Sequence, residues 1–569
     1  MKYLNPFQVK RINSIDFTYV FLHVTASKKT NILSKGQRYR ACKAYIYNFY
    51  QMNYDYLNSP QKKGRFNIAM VSDFCYPNVG GVESHIFALS QCLIRRGHRV
   101  IIITHSYGSE GGQRQGVRYL PRGLKVYYIP IQPFYKQSIF ITVLGTLPII
   151  REIVIREQID IVHGHSIFSP LACEAAIHAQ SLGCRTVHTE HSLFGFSDLS
   201  AIIMNKVMEG VFTAVDQVIC VSHTTKENVV LRAKYDADRV FVIPNAVDAS
   251  AFIPDPSCRD PNYITIVVVS RLVYRKGLDL LVAIIPSLCS LFPELRFLIG
   301  GDGPKRLELE EIREQYQLHS RVKLLGGLQP HEVRPLLIQG DIFLNTSLTE
   351  AFCIAILEAV SCGLMVISTA VGGLPEVLPE HFIRLAPANA SELATIVADS
   401  IIQVRRQRED SKLTTHEQEA MNNLTSDKVN ICTSPPNPLC RFSLVADPST
   451  HFDGTECNCN SLNDHCWHMH KWIRSMYCWP LVAKRTEKVY CAAMSKPPVS
   501  LHDRISRLYQ LGPLTGKITC FSAILHWLLL QFISWLRPEQ IIDIMPSLET
   551  PIEDFSDSEC EDFSVDSHK

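Results

Sequence analysis

The feature that most constrains the fold is an alternation of short apolar runs with amphipathic stretches, repeated in two series between residues 67 and 402. Apolar runs separated by helical patterns predict parallel strands that are covered by helices. A stretch that carries Pro and Asp, residues 248–262, separates the two series. We therefore predict an α/β fold with two doubly wound, Rossmann-like domains. Because ligands in such sheets bind beyond the carboxyl ends of the strands, two facing domains would enclose a cleft.

Breaks in composition set the predicted boundaries. The predicted parts are an irregular N-terminal extension (1–65), an N-terminal domain (66–255), a C-terminal domain (256–403), a disordered insertion (404–466), a returning helix with a basic segment (467–516), a transmembrane helix (517–537) and an acidic tail (538–569).

Composition excludes some classes of function. The chain has 569 residues, with 57 Lys and Arg against 55 Asp and Glu, and its net charge of +2 argues against a general nucleic-acid binder. Many of the 19 cysteines, such as Cys75 and Cys220, lie in apolar strand-like runs. That distribution predicts buried, reduced thiols and a cytosolic main body.

One apolar run is long enough to cross a membrane. The 19 residues from Ile518 to Leu536 contain no Asp, Glu, Lys or Arg, and a helix of that length spans about 28 Å. Residues 467–517 hold nine Lys and Arg, whereas residues 537–569 hold two and ten acids. The positive-inside rule therefore predicts a single-pass helix with a cytosolic body and a tail on the far side.

Two segments give weaker signals. The apolar run at residues 17–26 is short and late for a signal peptide, so we expect an irregular extension there. The Cys and His residues of "CNC" (457–459) and "HCWHMH" (465–470) lack the spacing of a zinc finger or ribbon, so we expect no metal site in that segment.

Charged residues follow strand ends in the second series. Arg271 and Lys276, in "SRLVYRKG", follow a predicted strand, and two cations there suit a diphosphate leaving group. Glu350 and Glu358 flank a predicted helix start and, at helical spacing, return to nearly the same side. One carboxylate could then contact a sugar and the other a ribose. Each residue alone is equally compatible with an ordinary solvated surface.

The first series contributes glycines and histidines. Gly80 and Gly81 separate the first strand from the next helix, where a backbone can approach anionic oxygens closely. The pair is not a G-x-G-x-x-G fingerprint, so nicotinamide binding is not indicated. His165 and His191 end two predicted strands, and His191 could donate a hydrogen bond to a phosphate or a hydroxyl.

In their order along the chain, these residues resemble glycosyltransferase family 4, which has the two-domain fold called GT-B. The matching segments are "GGVE", "HGHS", "TEHS", "IPNAVD", "SRLVYRKG", "GGDGP" and "EAFCIAILE". Further segments, "VAKRTEKVY", "GPLTG" and "RPEQIID", narrow the resemblance to members that act in the first step of GPI-anchor synthesis.

The resemblance implies a retaining enzyme that transfers N-acetylglucosamine from UDP-N-acetylglucosamine to phosphatidylinositol without a metal ion or other cofactor. It also implies partner subunits and the endoplasmic reticulum membrane, with the catalytic domain cytosolic and the tail lumenal. By motif, the catalytic residues would be Glu350, His191 and Lys276. Donor-binding residues would be Gly80, Gly81, Arg271, Lys276, Glu350 and Glu358, and the acceptor side would include His165 and His191.

Two departures from the family and three alternatives stay open. Residues 1–64 and 404–466 look foreign to the family, and the second segment could disturb the terminal helix that braces the two domains. The alternatives are a GT-B enzyme with another acceptor, a non-catalytic scaffold subunit, and a GT-B-like epimerase or phosphorylase.

Overall fold

The computed structural model describes residues 64–78, 80–108, 114–135, 137–193, 199–426, 462–495 and 499–546. The predicted N-terminal extension therefore lies outside the described residues apart from its last two. Most of the acidic tail lies outside them as well.

The N-terminal domain is built on a sheet of eight strands. Its described strands are β1 (Asn67–Val71), β2 (Arg99–His105), β3 (Gly116–Leu120), β4 (Leu124–Ile129), β7 (Ile161–His165), β8 (Arg185–Glu190), β9 (Gln217–Cys220) and β10 (Val240–Val242), with a separate hairpin of β5 (Pro133–Tyr135) and β6 (Ser138–Ile139). The order across the sheet is β10-β9-β8-β7-β1-β2-β4-β3, and every pairing is parallel except that of β3 with β4. The predicted doubly wound sheet is confirmed.

The C-terminal domain is built on a parallel sheet of six strands. They are β11 (Ile264–Val269), β12 (Leu295–Gly300), β13 (Val322–Gly326), β14 (Ile342–Asn345), β15 (Met365–Thr369) and β16 (Ile383–Ala386). Their order is β13-β12-β11-β14-β15-β16. The central strands are mostly apolar because helices cover both faces of the sheet.

The helices of the N-terminal domain are α1 (Gly81–Arg95), α2 (Leu147–Arg156), α3 (Pro170–Ser181), α4 (Leu199–Phe212) and α5 (His223–Ala233). Those that follow are α6 (Leu278–Leu291), α7 (Arg306–Gln315), α8 (Pro330–Leu337), α9 (Ile354–Ser361), α10 (Ala390–Ser426), α11 (Leu462–Met476), α12 (Trp479–Met494), α13 (Leu501–Tyr509) and α14 (Thr515–Leu536).

The chain returns from the C-terminal to the N-terminal domain through residues 476–479. Helix α11 buries Met469 and Ile473 in the core of the C-terminal domain, whereas α12 buries Val482 and Tyr490 in the core of the N-terminal domain. Between them, the Tyr477 hydroxyl donates to a carbonyl of the C-terminal domain, and its own carbonyl accepts from the N–H of Val247. The brace between the domains is therefore present after the predicted insertion.

A carboxylate fixes the second half of this brace. Glu487 of α12 accepts two hydrogen bonds from Arg96, at 2.5 and 2.6 Å, and contacts His98 at 2.9 Å. Burial alone would raise the pKa of Glu487, but the hydrogen bonds from His98 and Arg96 outweigh it and hold the pKa below its usual value. Helix α12 is thus held by a charge pair as well as by apolar packing.

The bounds predicted for the insertion, 404–466, overlap described helices at both ends, because residues 404–426 belong to α10 and residues 462–466 to α11. Helix α10 continues through Val404 to Ser426, and residues 427–461 lie outside the described residues. Val404 is buried in the core, and Arg408 donates to Asp341 at 2.6 Å. The apolar stripe that signals a helix ends at Val404, which is why the pattern did not reveal the extension.

Helix α14 agrees with the predicted apolar span. It has 22 residues and is the one described helix long and apolar enough to cross a membrane by these two criteria. A narrow stripe of Gly516, Ala523, His526 and Leu530 is buried, and the rest of the helix is exposed or partly exposed. His526 and His178 of α3 lie within hydrogen-bond distance, 2.8 Å.

The C-terminal end of α14 and the helix that precedes α14 also contact the N-terminal domain. Arg504, in the helix that precedes α14, donates to Ser181, and Arg537 pairs with Glu152 at 2.9 Å. The helix therefore lies along the surface of the N-terminal domain and turns a broad apolar face outward.

A second exposed apolar surface lies on the β5–β6 hairpin and the loop that follows it. Its large side chains are mostly exposed: Phe134, Tyr135, Phe140, Ile141 and Val143. The loop is fixed to α3 because Glu174 accepts hydrogen bonds from the N–H groups of Thr142 and Val143. An exposed apolar patch of this kind marks an interaction surface.

Candidate functional site

The two domains meet at the carboxyl ends of their sheets. Glu376 of the C-terminal domain accepts hydrogen bonds from the N–H groups of His223 and Thr224, the first residues of α5 in the N-terminal domain. A carboxylate at a helix N-terminus satisfies free N–H groups and complements the helix dipole. These hydrogen bonds hold the two domains together at one side of the interdomain cleft.

The predicted glycines lie opposite the C-terminal domain. Gly81 begins α1, and a Cβ atom there would lie 3.6 Å from Ile354, the first residue of α9. The N-termini of α1 and α9 thus face each other across the cleft. At Gly80 a Cβ atom would meet the Glu83 carboxylate at 2.4 Å, so the absence of a side chain there makes room for that carboxylate.

Two guanidinium groups follow strand β11. Arg271 is the second residue after the strand, and Arg275 lies in the short 3-10 turn Tyr274–Lys276. Neither side chain has a hydrogen-bond partner among the residues that the structure describes. Burial and the charge of Arg271 lower the pKa of Arg275. These cations therefore form a site suited to a diphosphate.

The predicted Lys276 and Glu350 are ion-paired to each other. Both side chains are largely buried, and Ser347 donates a further hydrogen bond to Glu350 at 3.0 Å. Gly277 makes this approach possible, since its φ is 67° and a Cβ atom would lie 1.8 Å from the carbonyl oxygen of Thr346. Lys276 is therefore positioned by a carboxylate, whereas Arg271 and Arg275 have no such partner among the described residues.

Glu358 is a carboxylate without a hydrogen-bond or ion-pair partner in the described part of the chain. Burial raises its pKa to about 7. The predicted helical relation between Glu350 and Glu358 is wrong, because α9 begins only at Ile354 and Cys353 is in the left-handed region, with φ 79°. Both carboxylates nevertheless influence Cys353 electrostatically, so they lie in the same region.

The predicted histidines meet on the N-terminal side of the cleft. His165 ends β7 and is fully buried, whereas His191 follows β8 and is partly exposed. Their ring nitrogens, Nδ1 of His165 and Nε2 of His191, lie 3.3 Å apart. The Glu190 carboxylate accepts hydrogen bonds from the N–H groups of His191 and Ser192, which fixes the His191 backbone.

Four residues of the site were not assigned from the sequence: Arg275, Glu83, Glu190 and His85. Three of them stand inside motifs that the sequence did single out, and His85 is two residues beyond such a motif. Their positions at strand ends and helix starts are the sequence signal by which they could have been identified. Glu83 lies near Arg271, and its pKa is raised by burial more than the charge of Arg271 lowers it.

Two family models match this chain. The model described as PIGA (GPI anchor biosynthesis) matches residues 105–198, and the model described as Glycosyl transferases group 1 matches residues 251–411. The first match covers strands β7 and β8 with His165 and His191. The second covers the C-terminal domain with Arg271, Lys276, Glu350 and Glu358.

The chain also has curated relatives over most of its length. A phosphatidylinositol N-acetylglucosaminyltransferase subunit from Homo sapiens is 47% identical over 479 residues, which are 84% of this chain and 87% of the human protein. Its counterpart from Arabidopsis thaliana is 44% identical, over 85% of this chain and 95% of the plant protein. The gpi3 subunit of the same transferase in Schizosaccharomyces pombe is 42% identical, over 83% and 91%.

Solved structures support the fold alone. Sucrose-phosphate synthase from Thermosynechococcus elongatus superposes with a TM-score of 0.57 at 17% identity, over 76% of this chain and all of that one. The catalytic domain of starch synthase IV from Arabidopsis thaliana gives 0.51 at 15% identity, over the same shares.

The order of the strands, the facing domains and the matching family models agree with one another, and the curated relatives cover the same residues. The chain is therefore a GT-B glycosyltransferase and belongs to the PIGA family of GPI-anchor biosynthesis, together with these phosphatidylinositol N-acetylglucosaminyltransferase relatives.

Proposed function

We propose that this protein transfers N-acetylglucosamine from UDP-N-acetylglucosamine to phosphatidylinositol with retention of configuration. The observation that carries the proposal is the cluster of Arg271, Arg275 and the Lys276–Glu350 pair at the carboxyl end of β11. This cluster faces an N-terminal domain whose sequence matches the GPI-anchor family. A scaffold subunit would not need such a cluster.

The donor is proposed to bind mainly to the C-terminal domain. Arg271 and Arg275 have guanidinium groups available for the two phosphates, and the start of α1 at Gly81 supplies N–H groups from the other side. Glu358, once ionised, can accept hydrogen bonds from the ribose hydroxyls. Glu350, which forms an ion pair with Lys276, is proposed to contact the donor sugar or its phosphate.

Transfer breaks the bond between the sugar C1 and the phosphate oxygen and forms a bond from C1 to an inositol hydroxyl oxygen. The leaving UDP gains negative charge, which the two arginines and Lys276 stabilise. A phosphate oxygen of the leaving UDP takes the inositol proton, so no dedicated base is needed. His191, neutral because burial lowers its pKa well below 6.5, is proposed to lie by the reacting sugar and to donate or accept a hydrogen bond there.

Because Arg271, Arg275 and Lys276 could together meet the charge of the leaving UDP, we propose a metal-independent transfer. The lipid acceptor is supported by two exposed apolar surfaces, the outer face of α14 and the β5–β6 hairpin. The curated relatives are named as subunits, so we propose that this protein works within a complex of several chains.

Expression of the chain in cells that lack the endogenous enzyme should restore synthesis of a labelled lipid from tritiated UDP-N-acetylglucosamine in isolated membranes. With the partner subunits present, phosphatidylinositol-specific phospholipase C should release the label from that lipid. A labelled lipid that resists this enzyme would indicate another acceptor. Donor binding without any labelled lipid would favour a scaffold role.

Lys276→Ala and Glu350→Ala should each lower turnover by about 100-fold or more, because each leaves the other charge buried and unpaired at the reacting phosphate. Arg405→Ala and Glu294→Ala, which break an ion pair on the far side of the same domain, are the matched controls and should retain activity. Expression and membrane association are measured in parallel. Unchanged turnover in both site variants would refute the roles given to them.

Affinity for UDP-N-acetylglucosamine should rise with pH between 6 and 8. The pKa of Glu358 is raised to about 7, so its ionised fraction increases from about a tenth at pH 6 to about nine tenths at pH 8. Only the ionised carboxylate accepts from both ribose hydroxyls, so the dissociation constant should fall about tenfold over this range. Calorimetry should show this slope, and Glu358→Gln should remove it. The same slope in the variant would assign the titration to another group.

We propose that α14 attaches the protein to the endoplasmic reticulum membrane with the catalytic domains cytosolic and the tail lumenal. An Asn-Xaa-Thr acceptor inserted after residue 560 should then be glycosylated, and the same insert with Gln in place of Asn should not. The contacts of α14 with His178 and Glu152 would have to open in that arrangement. An unmodified tail that added protease removes from intact microsomes would instead place α14 in the plane of the cytosolic interface.

A further inference from the structure

Three imidazole groups converge beneath the cleft of the N-terminal domain. His85 lies on α1, His165 at the end of β7 and His191 just after β8. Each offers a ring nitrogen, and these atoms all lie within 4.8 Å of one another. They meet because β7 and β8 are neighbouring parallel strands and α1 packs beside their carboxyl ends.

The hydrogen bonds of His85 leave one nitrogen available. Nδ1 of His85 lies 2.9 Å from the Asn245 side-chain oxygen, which can only accept, so Nδ1 carries the hydrogen. The lone pair of His85 is therefore on Nε2. A histidine that donates through one nitrogen to a fixed oxygen and presents the other is the usual arrangement of a metal ligand.

His165 has a nitrogen that the protein leaves unsatisfied. Its Nδ1 is 3.3 Å from Nε2 of His191, but its Nε2 is buried and has no hydrogen-bond partner in the described part of the chain. Either tautomer leaves one buried nitrogen unpaired, which is unfavourable in a protein interior. A cation bound to Nδ1 would place the hydrogen on Nε2 and so fix one tautomer of His165.

All three rings are in the form that binds metals. Burial lowers the pKa of His85 to about 4 and lowers the pKa values of His165 and His191 well below 6.5, so the rings are neutral at pH 7. Metal binding therefore does not have to displace protons from them.

We propose that His85, His165 and His191 form a binding site for Zn²⁺ or a similar late first-row divalent cation. Three imidazoles suit Zn²⁺, and the partly exposed side of His191 leaves a fourth position for water. Zinc–nitrogen bonds of about 2.0–2.1 Å place tetrahedral ligands about 3.4 Å apart. The pair of His165 and His191 already has this spacing, and a small movement of His85 completes the set.

This site would regulate the transferase. If His191 contacts the donor sugar, as the proposed function has it, a cation held by His191 competes with the donor, and zinc inhibits the enzyme. This consequence rests on the proposed function, whereas the metal site itself does not.

The test uses the purified full-length chain and Co²⁺ as a spectroscopic probe for Zn²⁺. Four-coordinate Co²⁺ absorbs visible light far more strongly than the six-coordinate ion, so its spectrum reports the geometry. Trp479 lies edge-on to His85 with ring centroids 5.2 Å apart, and its fluorescence should be quenched by bound Co²⁺ and recover when Zn²⁺ replaces it.

His85→Gln, a residue outside the proposed catalytic set, should weaken Co²⁺ binding by at least about tenfold, and so should Asn245→Ala, which removes the partner of His85. His319→Gln, at an exposed histidine, is the matched control and should not change it. Thermal unfolding of each variant shows whether it folds. Binding unchanged in a folded His85→Gln, or only a weak six-coordinate spectrum in the parent chain, would overturn the site.

Saturating UDP-N-acetylglucosamine separates the two proposals. Weaker Co²⁺ binding in its presence supports both the site and the contact of His191 with the donor. Four-coordinate Co²⁺ that stays bound at saturating donor still supports the site, and it overturns only the role given to His191.

Discussion

The cleft depends on the segment that passes from the C-terminal domain back to the N-terminal domain. Helix α11 is buried in one core and α12 in the other, and Tyr477 between them hydrogen-bonds to both domains. Each Rossmann-like sheet could form its own core. The distance between the carboxyl edges of the two sheets, however, is set by this connecting segment, which belongs to neither sheet. The hydrogen bonds that Glu376 accepts from the start of α5, and those that Glu487 of α12 accepts from Arg96, also help to fix the placement of one domain relative to the other. Without these contacts the candidate site would be two separate halves.

The two halves differ in their electrostatics. The C-terminal side presents cations, with Arg271 and Arg275 free of hydrogen-bond partners among the described residues and Lys276 held by Glu350. The N-terminal side presents uncharged imidazoles, because burial favours the neutral form of His85, His165 and His191. A nucleoside diphosphate sugar would therefore meet positive charge at its phosphates and polar, uncharged groups at its sugar. The asymmetry of the site matches the asymmetry of such a donor.

The sequence predicted the sheets well because parallel strands buried on both faces are continuous apolar runs. Arg271, Lys276 and Glu350 lie in the loops that follow strands β11 and β14, and such loops lie at one edge of a parallel sheet. The roles given to these residues stay predictions. The sequence did not predict that Lys276 and Glu350 pair, because the contact depends on the left-handed turn at Gly277.

Other features had no local signal. The helical relation expected between Glu350 and Glu358 failed because the chain before Ile354 is not helical. The convergence of His85 with the strand-end histidines depends on how α1 packs, and a single histidine in an amphipathic helix does not indicate it. The length of α10 was missed because its last turns lack an apolar stripe.

The outward apolar faces of α14 and the β5–β6 hairpin have a kinetic consequence. Under the proposed function, a protein held at a lipid surface by these faces would sample a lipid acceptor by diffusion in two dimensions, whereas a nucleotide-sugar donor would reach the cleft by diffusion in three. The acceptor is then counted in molecules per unit area and the donor in molecules per unit volume. Saturation by the acceptor would then be set by the composition of the membrane, and saturation by the donor by its concentration in solution.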